Sequence, residues 1–305
     1  MEPATYIWDE GELIPWADAN VHFLSHALHY GTAVFEGIRS YQTADGGSAV
    51  FRLNEHMVRL DASARAYGIP MSYSADDMSK ATLELLRANS LESAYIRPLV
   101  FHGVGEFGLN PAGSRVRTMI GAFALGKYLG EDGVKNGIRA MISSWRRISH
   151  DDFIPTAKGS GAYLNSALAK SEAKRAGFDE AIMLSQSGSV SEGTGMNIFV
   201  VSEGVVHTPP VSAGILCGIT RLSVIELLEA EGYDVRETDL TRGGLYTVDE
   251  VFLTGTAAEV TPVREIDGRV IGSGRPGPVT VRAQELFAGA ARGEIEEYRR
   301  WLEYV

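Results

Sequence analysis

The chain has 305 residues, 45% of them hydrophobic and 22% charged, with a formal net charge of −11. That length buries a large core and suggests two domains, while the acidic balance argues against nucleic acid or an anionic membrane as a main partner, since phosphate backbones demand clustered lysine and arginine. Cys217 is the only cysteine, which excludes an intrachain disulfide and a thiolate metal cage.

Met1–Thr5 lacks a basic n-region and an apolar h-region, so no secretory signal is expected. Apolar runs such as Ala181–Leu184 are too short to span a bilayer, and a cytoplasmic setting is expected. Tyr6–Trp8 and Glu12–Ile14 flank Asp9-Glu10-Gly11 and predict a hairpin. Val34–Tyr41 and Ala49–Leu53 read as strands around the Asp45-Gly46-Gly47 turn. Asn54 reads as the N-cap of a helix through Ala66, stopped by Gly68 and Pro70. A helix over Asp76–Ala88 and strands over Tyr95–His102 and Arg115–Leu125 follow. The polar, Gly-rich stretch 127–137 is predicted as a linker between a small N-terminal α/β domain (1–126) and a larger C-terminal one (138–305). In the latter, strands over Ile138–Trp145, Ala181–Leu184, Asn197–Val201 and Val251–Leu253 alternate with helices over Ala162–Ala176, Arg221–Glu231 and Val279–Ala290. The fold class is α/β (α+β) in two domains.

One stretch carries the chemistry. It reads Glu192-Gly193-Thr194-Gly195-Met196-Asn197-Ile198-Phe199, then Val206-His207-Thr208, then Leu216-Cys217-Gly218-Ile219-Thr220-Arg221. An acid at a strand end, an amide after it and a Gly-Ile-Thr turn opening a helix resemble the signature of the class IV aminotransferases, which use pyridoxal 5′-phosphate. A carboxylate on the pyridine nitrogen keeps it protonated, so that the ring can absorb electrons. A helix N-terminus offers unpaired N–H groups and a positive dipole end to a phosphate. The helix after Gly218-Ile219-Thr220 is amphipathic, with Leu222, Ile225, Leu227 and Leu228 as its apolar positions. Thr254-Gly255-Thr256-Ala257-Ala258 supplies a second small-residue turn, and Arg59 a fixed positive charge.

Such an enzyme needs a lysine for its cofactor. Lys80, Lys170 and Lys174 lie on polar helix faces, and Lys127 and Lys135 in the expected linker. Lys158 alone stands in a run of small, uncharged residues, Ile154-Pro155-Thr156-Ala157-Lys158-Gly159-Ser160-Gly161-Ala162-Tyr163, which lets a cofactor approach the backbone.

Two further stretches, His29-Tyr30-Gly31-Thr32-Ala33-Val34-Phe35-Glu36-Gly37-Ile38-Arg39 and Tyr95-Ile96-Arg97-Pro98-Leu99, narrow the likeness. With them the chain resembles the branched-chain amino-acid aminotransferases of fold type IV from about Tyr6 to its C-terminal region. The resemblance implies an active site between the two domains and transfer of the amino group of Leu, Ile or Val to 2-oxoglutarate. It implies that Lys158 forms the Schiff base and shuttles a proton, that Tyr163 hydrogen-bonds the ring hydroxyl, and that Glu192 holds the ring nitrogen. Arg59, Ile219, Thr220 and Thr256 would bind the phosphate. Tyr95 and the Thr256 and Ala257 N–H groups would take the substrate α-carboxylate, and Phe35, Gly37, Tyr128 and Trp145 would wall an apolar pocket with Tyr30 and Arg97 at its edge. It further implies a homo-oligomer built on a dimer, in which the partner's loop Val104–Pro111, with Leu109 at its tip, closes the pocket. The family's usual residue at that tip is a valine, and its usual residue at position 217 is a proline. Other readings are a D-amino-acid or (R)-amine transaminase or an aminodeoxychorismate-type lyase of the same fold, or a noncatalytic cofactor carrier.

Two motifs compete with this reading. Gly103-Val104-Gly105-Glu106-Phe107-Gly108 matches G-x-G-x-x-G, but Asn110-Pro111-Ala112-Gly113 breaks the helix a dinucleotide site needs, and a hairpin loop is expected. His22, His26 and His29 fit one helical face at i, i+4, i+7, yet no Glu completes a metal frame and buried or capping histidines are expected.

Overall fold

The structure, a computed structural model, describes residues 3–106, 108–126 and 130–305. The chain forms two compact units. The first holds Met1–Leu125 with Ala157–Ala162 and Gly289–Val305, and the second holds Gly126–Thr156 and Tyr163–Ala288. A single cut in sequence thus misses two returns to the first unit, both made by long-range backbone pairing. Of the expected linker, 127–129 lie outside the described residues. Gly130–Asn136 is a helix of the second unit, with Asn136 Nδ2 bonded one turn back to Asp132 Oδ1 at 2.7 Å.

In the first unit, strands β1 (Tyr6–Asp9), β2 (Glu12–Pro15), β3 (Ala33–Phe35), β4 (Ile38–Gln42), β5 (Ser48–Phe51), β6 (Tyr95–His102) and β7 (Val116–Phe123) share one sheet with a C-terminal strand, Leu302–Tyr304. Helices α1 (His26–Tyr30), α2 (Leu53–Ala66) and α3 (Ala75–Ala88) complete it. The order is C-terminal strand, β5, β4, β6, β7, β1, β2, with β3 also on β6. β6 and β7 pair antiparallel from Tyr95↔Phe123 to His102↔Val116, so the glycine motif between them lies in a hairpin loop, as expected; its Phe107 lies outside the described residues. The strand expected over Val34–Tyr41 breaks at Glu36-Gly37, and both halves pair with β6. The break lets Glu36, one of two consecutive residues outside the ladder, turn its carboxylate into the interior, where it is 0% exposed.

On α2, Leu53, Met57, Leu60 and Ala64 recur at i, i+4, i+7, i+11 and are fully buried against a core that includes Ile38, Val50 and Ile96. Truncating Leu60 to Ala would cost about 2–5 kcal/mol through lost burial and the cavity left. Asn54 is not the N-cap. Arg52 takes that place at φ 51°, and the Asn54 N–H donates to Glu303 Oε1 at 3.0 Å, a partner 249 residues away that no local pattern signals. α3 opens on a capping box, Asp77 N–H to Ser74 Oγ at 3.1 Å and Ser74 N–H to Asp77 Oδ2 at 3.0 Å, which contributes about 1 kcal/mol.

The second unit contains β8 (Ile138–Ile142), β9 (Glu180–Leu184), β10 (Val190–Gly193), β11 (Asn197–Ser202), β12 (Val205–Thr208), β13 (Val235–Glu237), β14 (Glu250–Gly255), β15 (Glu259–Ile266) and β16 (Arg269–Val270). Its helices are α4 (Gly130–Asn136), α5 (Tyr163–Arg175), α6 (Ile219–Ala230) and α7 (Pro278–Ala291). The sheet runs β10-β9-β8-β15-β14-β11-β12-β13, with β16 on β15. β8 is parallel to β9, and the crossover this demands is α5, whose Ala169 and Ala173 pack on Ala181 and Met183. α6 buries Val224, Leu227 and Leu228; Leu222, expected on that face, points outward because the buried stripe is centred half a turn away. Phe199 and Phe252, register partners on β11 and β14, stack at 4.9 Å. Among the described residues no helix is long and apolar enough to cross a membrane.

Candidate active site

In the first unit the site begins with a borrowed loop. Residues 157–162 are tied to the unit by the backbone: Phe35 N–H donates to Lys158 C=O at 3.1 Å, Lys158 N–H to Ser63 Oγ at 3.0 Å, and Gly161 N–H to Gly31 C=O at 3.1 Å. Glycine is required at 159, where a Cβ would lie 2.6 Å from the Tyr67 ring. This lashing puts Lys158 Nζ over the Phe35 ring, 5.1 Å from its centroid. Arg97 lies over the same ring at 4.6 Å, and its Nη2 donates to Tyr95 Oη at 2.9 Å. Gly37 faces that hydroxyl so closely that a Cβ would stand 2.1 Å from it. Phe35, Gly37, Tyr95, Arg97 and Lys158 are therefore one cluster: an amine and a guanidinium on an apolar ring, beside a phenol.

Arg59 is not a bare cation waiting for a ligand. Its Nε and Nη2 donate to Glu36 Oε1 and Oε2 at 2.7 and 2.9 Å, and His56 Nδ1 meets Oε2 at 2.8 Å. Burial pushes the Glu36 carboxyl up, but Arg59 and then His56 outweigh it and hold the group well below the usual carboxylate range. Burial likewise lowers His56, against the pull of Glu36. Sequence reasoning missed both roles. Glu36 stood in a stretch that carried the family likeness and was given no role, and its partners lie 20 and 23 positions away, beyond any local periodicity.

Tyr30 and Leu109 are exposed, Leu109 at 80%. The three histidines do not share a helical face, since His22 precedes α1. His26 bonds Thr32 Oγ1 and Gly108 C=O, and His29 bonds Phe23 C=O. Among the described residues no cluster of three potential ligands could hold a metal ion.

In the second unit, Glu192 is the last residue but one of β10 and is buried. Its Oε1 pairs with Arg147 Nη2 at 2.9 Å, while Oε2 accepts from Asn197 Nδ2 at 3.0 Å and from the Leu216 N–H at 3.1 Å. Arg147 escaped the sequence reading, for nothing local distinguishes it from its neighbour Arg146. Asn197 also donates to Leu216 C=O at 2.8 Å, and its Oδ1 lies 2.0 Å from where a Cβ at Gly218 would stand. Only glycine fits there. Gly218 caps α6 with no side-chain hydrogen bond to its first turn, where Ile219 and Thr220 supply backbone N–H groups. Thr256 and Ala257 form the half-buried turn between β14 and β15, next to Thr254, the register partner of Asn197. Thr254 Oγ1 and Ser191 Oγ are buried with no hydrogen-bond partner among the described residues. Tyr163, half-buried, opens α5; Trp145 is exposed; Tyr128 lies outside the described residues. Chemically, this unit offers a buried carboxylate suited to a protonated ring nitrogen and a helix end suited to an oxyanion.

Residues 33–266 match the family model described as amino-transferase class IV. The chain is 50% identical over 303 residues to the branched-chain-amino-acid aminotransferase of Escherichia coli (strain K12), covering 99% of this chain and 98% of that one. Two crystal structures of branched-chain aminotransferases superpose closely. One, from the archaeon Thermoproteus uzoniensis with norvaline, has a TM-score of 0.94 at 42% identity and covers 99% of each chain. The other, from Thermobaculum terrenum in its pyridoxal phosphate (holo) form, has a TM-score of 0.93 at 36% identity and covers 100% of this chain and 99% of its own.

Proposed function

We propose a function from one premise: the chain belongs to the amino-transferase class IV family, and within it to the branched-chain-amino-acid aminotransferases. It transfers the amino group of branched-chain L-amino acids to 2-oxoglutarate with pyridoxal 5′-phosphate as cofactor. The observation that carries this reading is the Phe35 ring with Lys158 on it and Arg97 over it. An apolar substrate side chain can lie against such a ring, while the guanidinium takes the distal carboxylate of the acidic partner.

The residues fit the cofactor. A Cβ at Gly218 would collide with Asn197, so the backbone there stays bare, and the α6 N-terminus carries no side-chain cap that would compete for a phosphate. When bound, the cofactor supplies a carbonyl that takes the amino group and a ring that accepts the electrons of the broken Cα–H bond. From the second unit we assign the phosphate to Ile219, Thr220 and Thr256, the ring hydroxyl to Tyr163 and the ring nitrogen to Glu192, which holds the proton there. Arg147 and Asn197 hold that carboxylate and aim it. From the first unit we assign Arg59 to the phosphate and Lys158 Nζ to the proton of the substrate Cα. Tyr95 with the Thr256 and Ala257 N–H groups takes the α-carboxylate, and Phe35, Gly37, Tyr128 and Trp145 face the side chain with Tyr30 and Arg97 at its edge. The exposed apolar residues Phe23, Leu24, Leu28, Tyr30 and Leu109 suit burial against a second copy, and we assign the enzyme to a cytoplasmic homo-oligomer built on that contact.

The test is Lys158→Ala. Turnover of leucine should fall by at least about 10⁴-fold, and borohydride should no longer fix the cofactor to the chain. Wild-type enzyme given L-leucine without an acceptor should release the matching 2-oxo acid. Release from D-amino acids but none from leucine would overturn the substrate assignment.

A further inference from the structure

We propose that Glu36 and His56 are positioning residues that fix the direction of the Arg59 guanidinium for the cofactor's phosphate, an inference that rests on the assignment of Arg59 to that phosphate. Glu36 stands where β3 gives way to β4, and its carboxylate is saturated by the chain. Oε1 accepts from Arg59 Nε at 2.7 Å. Oε2 accepts from Arg59 Nη2 at 2.9 Å, from His56 Nδ1 at 2.8 Å and from the Gly37 N–H at 3.2 Å. A carboxylate so engaged at 0% exposure has nothing left for substrate. What it does is hold a fork. A bidentate pair sets both the plane and the direction of a guanidinium, whose long stem otherwise samples many rotamers.

The placement of this clamp is equally specific. His56, Arg59 and Ser63 follow one stripe of α2 at i, i+3, i+7, and Ser63 Oγ accepts the Lys158 N–H at 3.0 Å. One helix face therefore fixes both the arginine and the backbone of the lysine, and Glu36 locks the arginine end. His56 donates from Nδ1 to the carboxylate it faces, and being neutral it adds direction without adding charge.

A rival account is that Glu36 only dilutes the charge of Arg59, in which case its removal would tighten phosphate binding. The experiment measures release of pyridoxal 5′-phosphate, and of pyridoxal, from the loaded full-length enzyme after transfer into cofactor-free buffer. Glu36→Gln should speed release of the phosphorylated form roughly ten- to hundredfold and leave pyridoxal release within about twofold. Equal acceleration of both would show a merely structural role, and slower release of the phosphorylated form would favour charge dilution; either overturns the proposal. Arg59→Gln is the reference. If it leaves the difference between the two compounds intact, the phosphate assignment of Arg59 fails. If it abolishes the difference while Glu36→Gln does not, the positioning inference alone fails. Should Glu36→Gln not fold, the His56 pair decides. His56→Leu should speed release of the phosphorylated form selectively. His56→Asn, which places an amide N–H near the Nδ1 position, should restore it, and failure of that rescue would overturn the role of His56.

Discussion

Glu36 in the first unit and Glu192 in the second are both buried carboxylates bonded to an arginine, yet the chain supports the two pairs differently. Around Glu36 the carboxylate is the anchored member, taking bonds from Arg59, His56 and the Gly37 backbone. Around Glu192 the arginine is anchored. Arg147 gives Nη2 to Glu192 at 2.9 Å, but spends Nε on Gly214 C=O and Nη1 on Ser166 Oγ, both at 3.3 Å. Glu192 also takes Asn197 Nδ2 and the Leu216 N–H, so in the second pair both members are tied to the chain. In the first unit an anion presents a cation; in the second a cation and an amide present an anion. Neither pair is explained by stability, since a buried ion pair recovers little more than its desolvation cost, although breaking one costs about 3–5 kcal/mol.

The comparison is broken most forcefully at Glu192. Glu192→Gln should keep the cofactor bound and lose roughly 10²–10³ in kcat, because an amide cannot hold the ring-nitrogen proton. Steady-state kinetics alongside cofactor content decides; near-normal kcat would mean that another group protonates the ring.

A pair of added methyl groups sharpens it. Gly218→Ala drives a Cβ into Asn197 Oδ1, and Gly37→Ala drives one into Tyr95 Oη. The first should lower kcat and loosen the cofactor, the second should raise KM for both substrates with the cofactor retained, each about tenfold for a displaced polar contact. Matching kinetic signatures in the two variants would erase the division of labour between the units.

The smallest signal is in pH. The Glu36 carboxyl is held below its ordinary value of 4.5, so its stabilising contribution is complete above that value and is lost as pH falls through it toward the folded-state value. The difference in unfolding free energy between wild type and Glu36→Gln should therefore be flat from about pH 6 to 8 and shrink only in more acid solution. Denaturant titrations across that range measure it, and a difference that shrank already near neutrality would contradict the ion pair.

Local pattern served the sequence well where the structure is local. The β6–β7 hairpin, α3 and α5 follow from alternation, helical spacing and breakers, and the glycine-rich loop at 103–108 was separated from a nucleotide site by the proline after it. It failed where a partner is remote. Asn54 has an N-cap's residue type, but its backbone bonds to Glu303; Arg59 stood out by its charge, while the Glu36 carboxylate that holds it, 23 positions away, went unread. The grouping of Phe35, Tyr95, Arg97 and Lys158 was reached through a family resemblance and not through spacing, because their contacts arise from strand register and from the return of 157–162 to the first unit.

The C-terminal strand has a consequence for biosynthesis. Leu302–Tyr304 pairs with β5, and Glu303 receives the amide of Asn54 at the start of the helix that carries Arg59. A nascent chain emerging from the ribosome can assemble β1 to β7 early, since all seven strands lie between Tyr6 and Phe123. It cannot close that sheet, or secure the start of α2, until Leu302–Tyr304 have been synthesised. Completion of the first unit therefore waits until every residue of the second unit already exists.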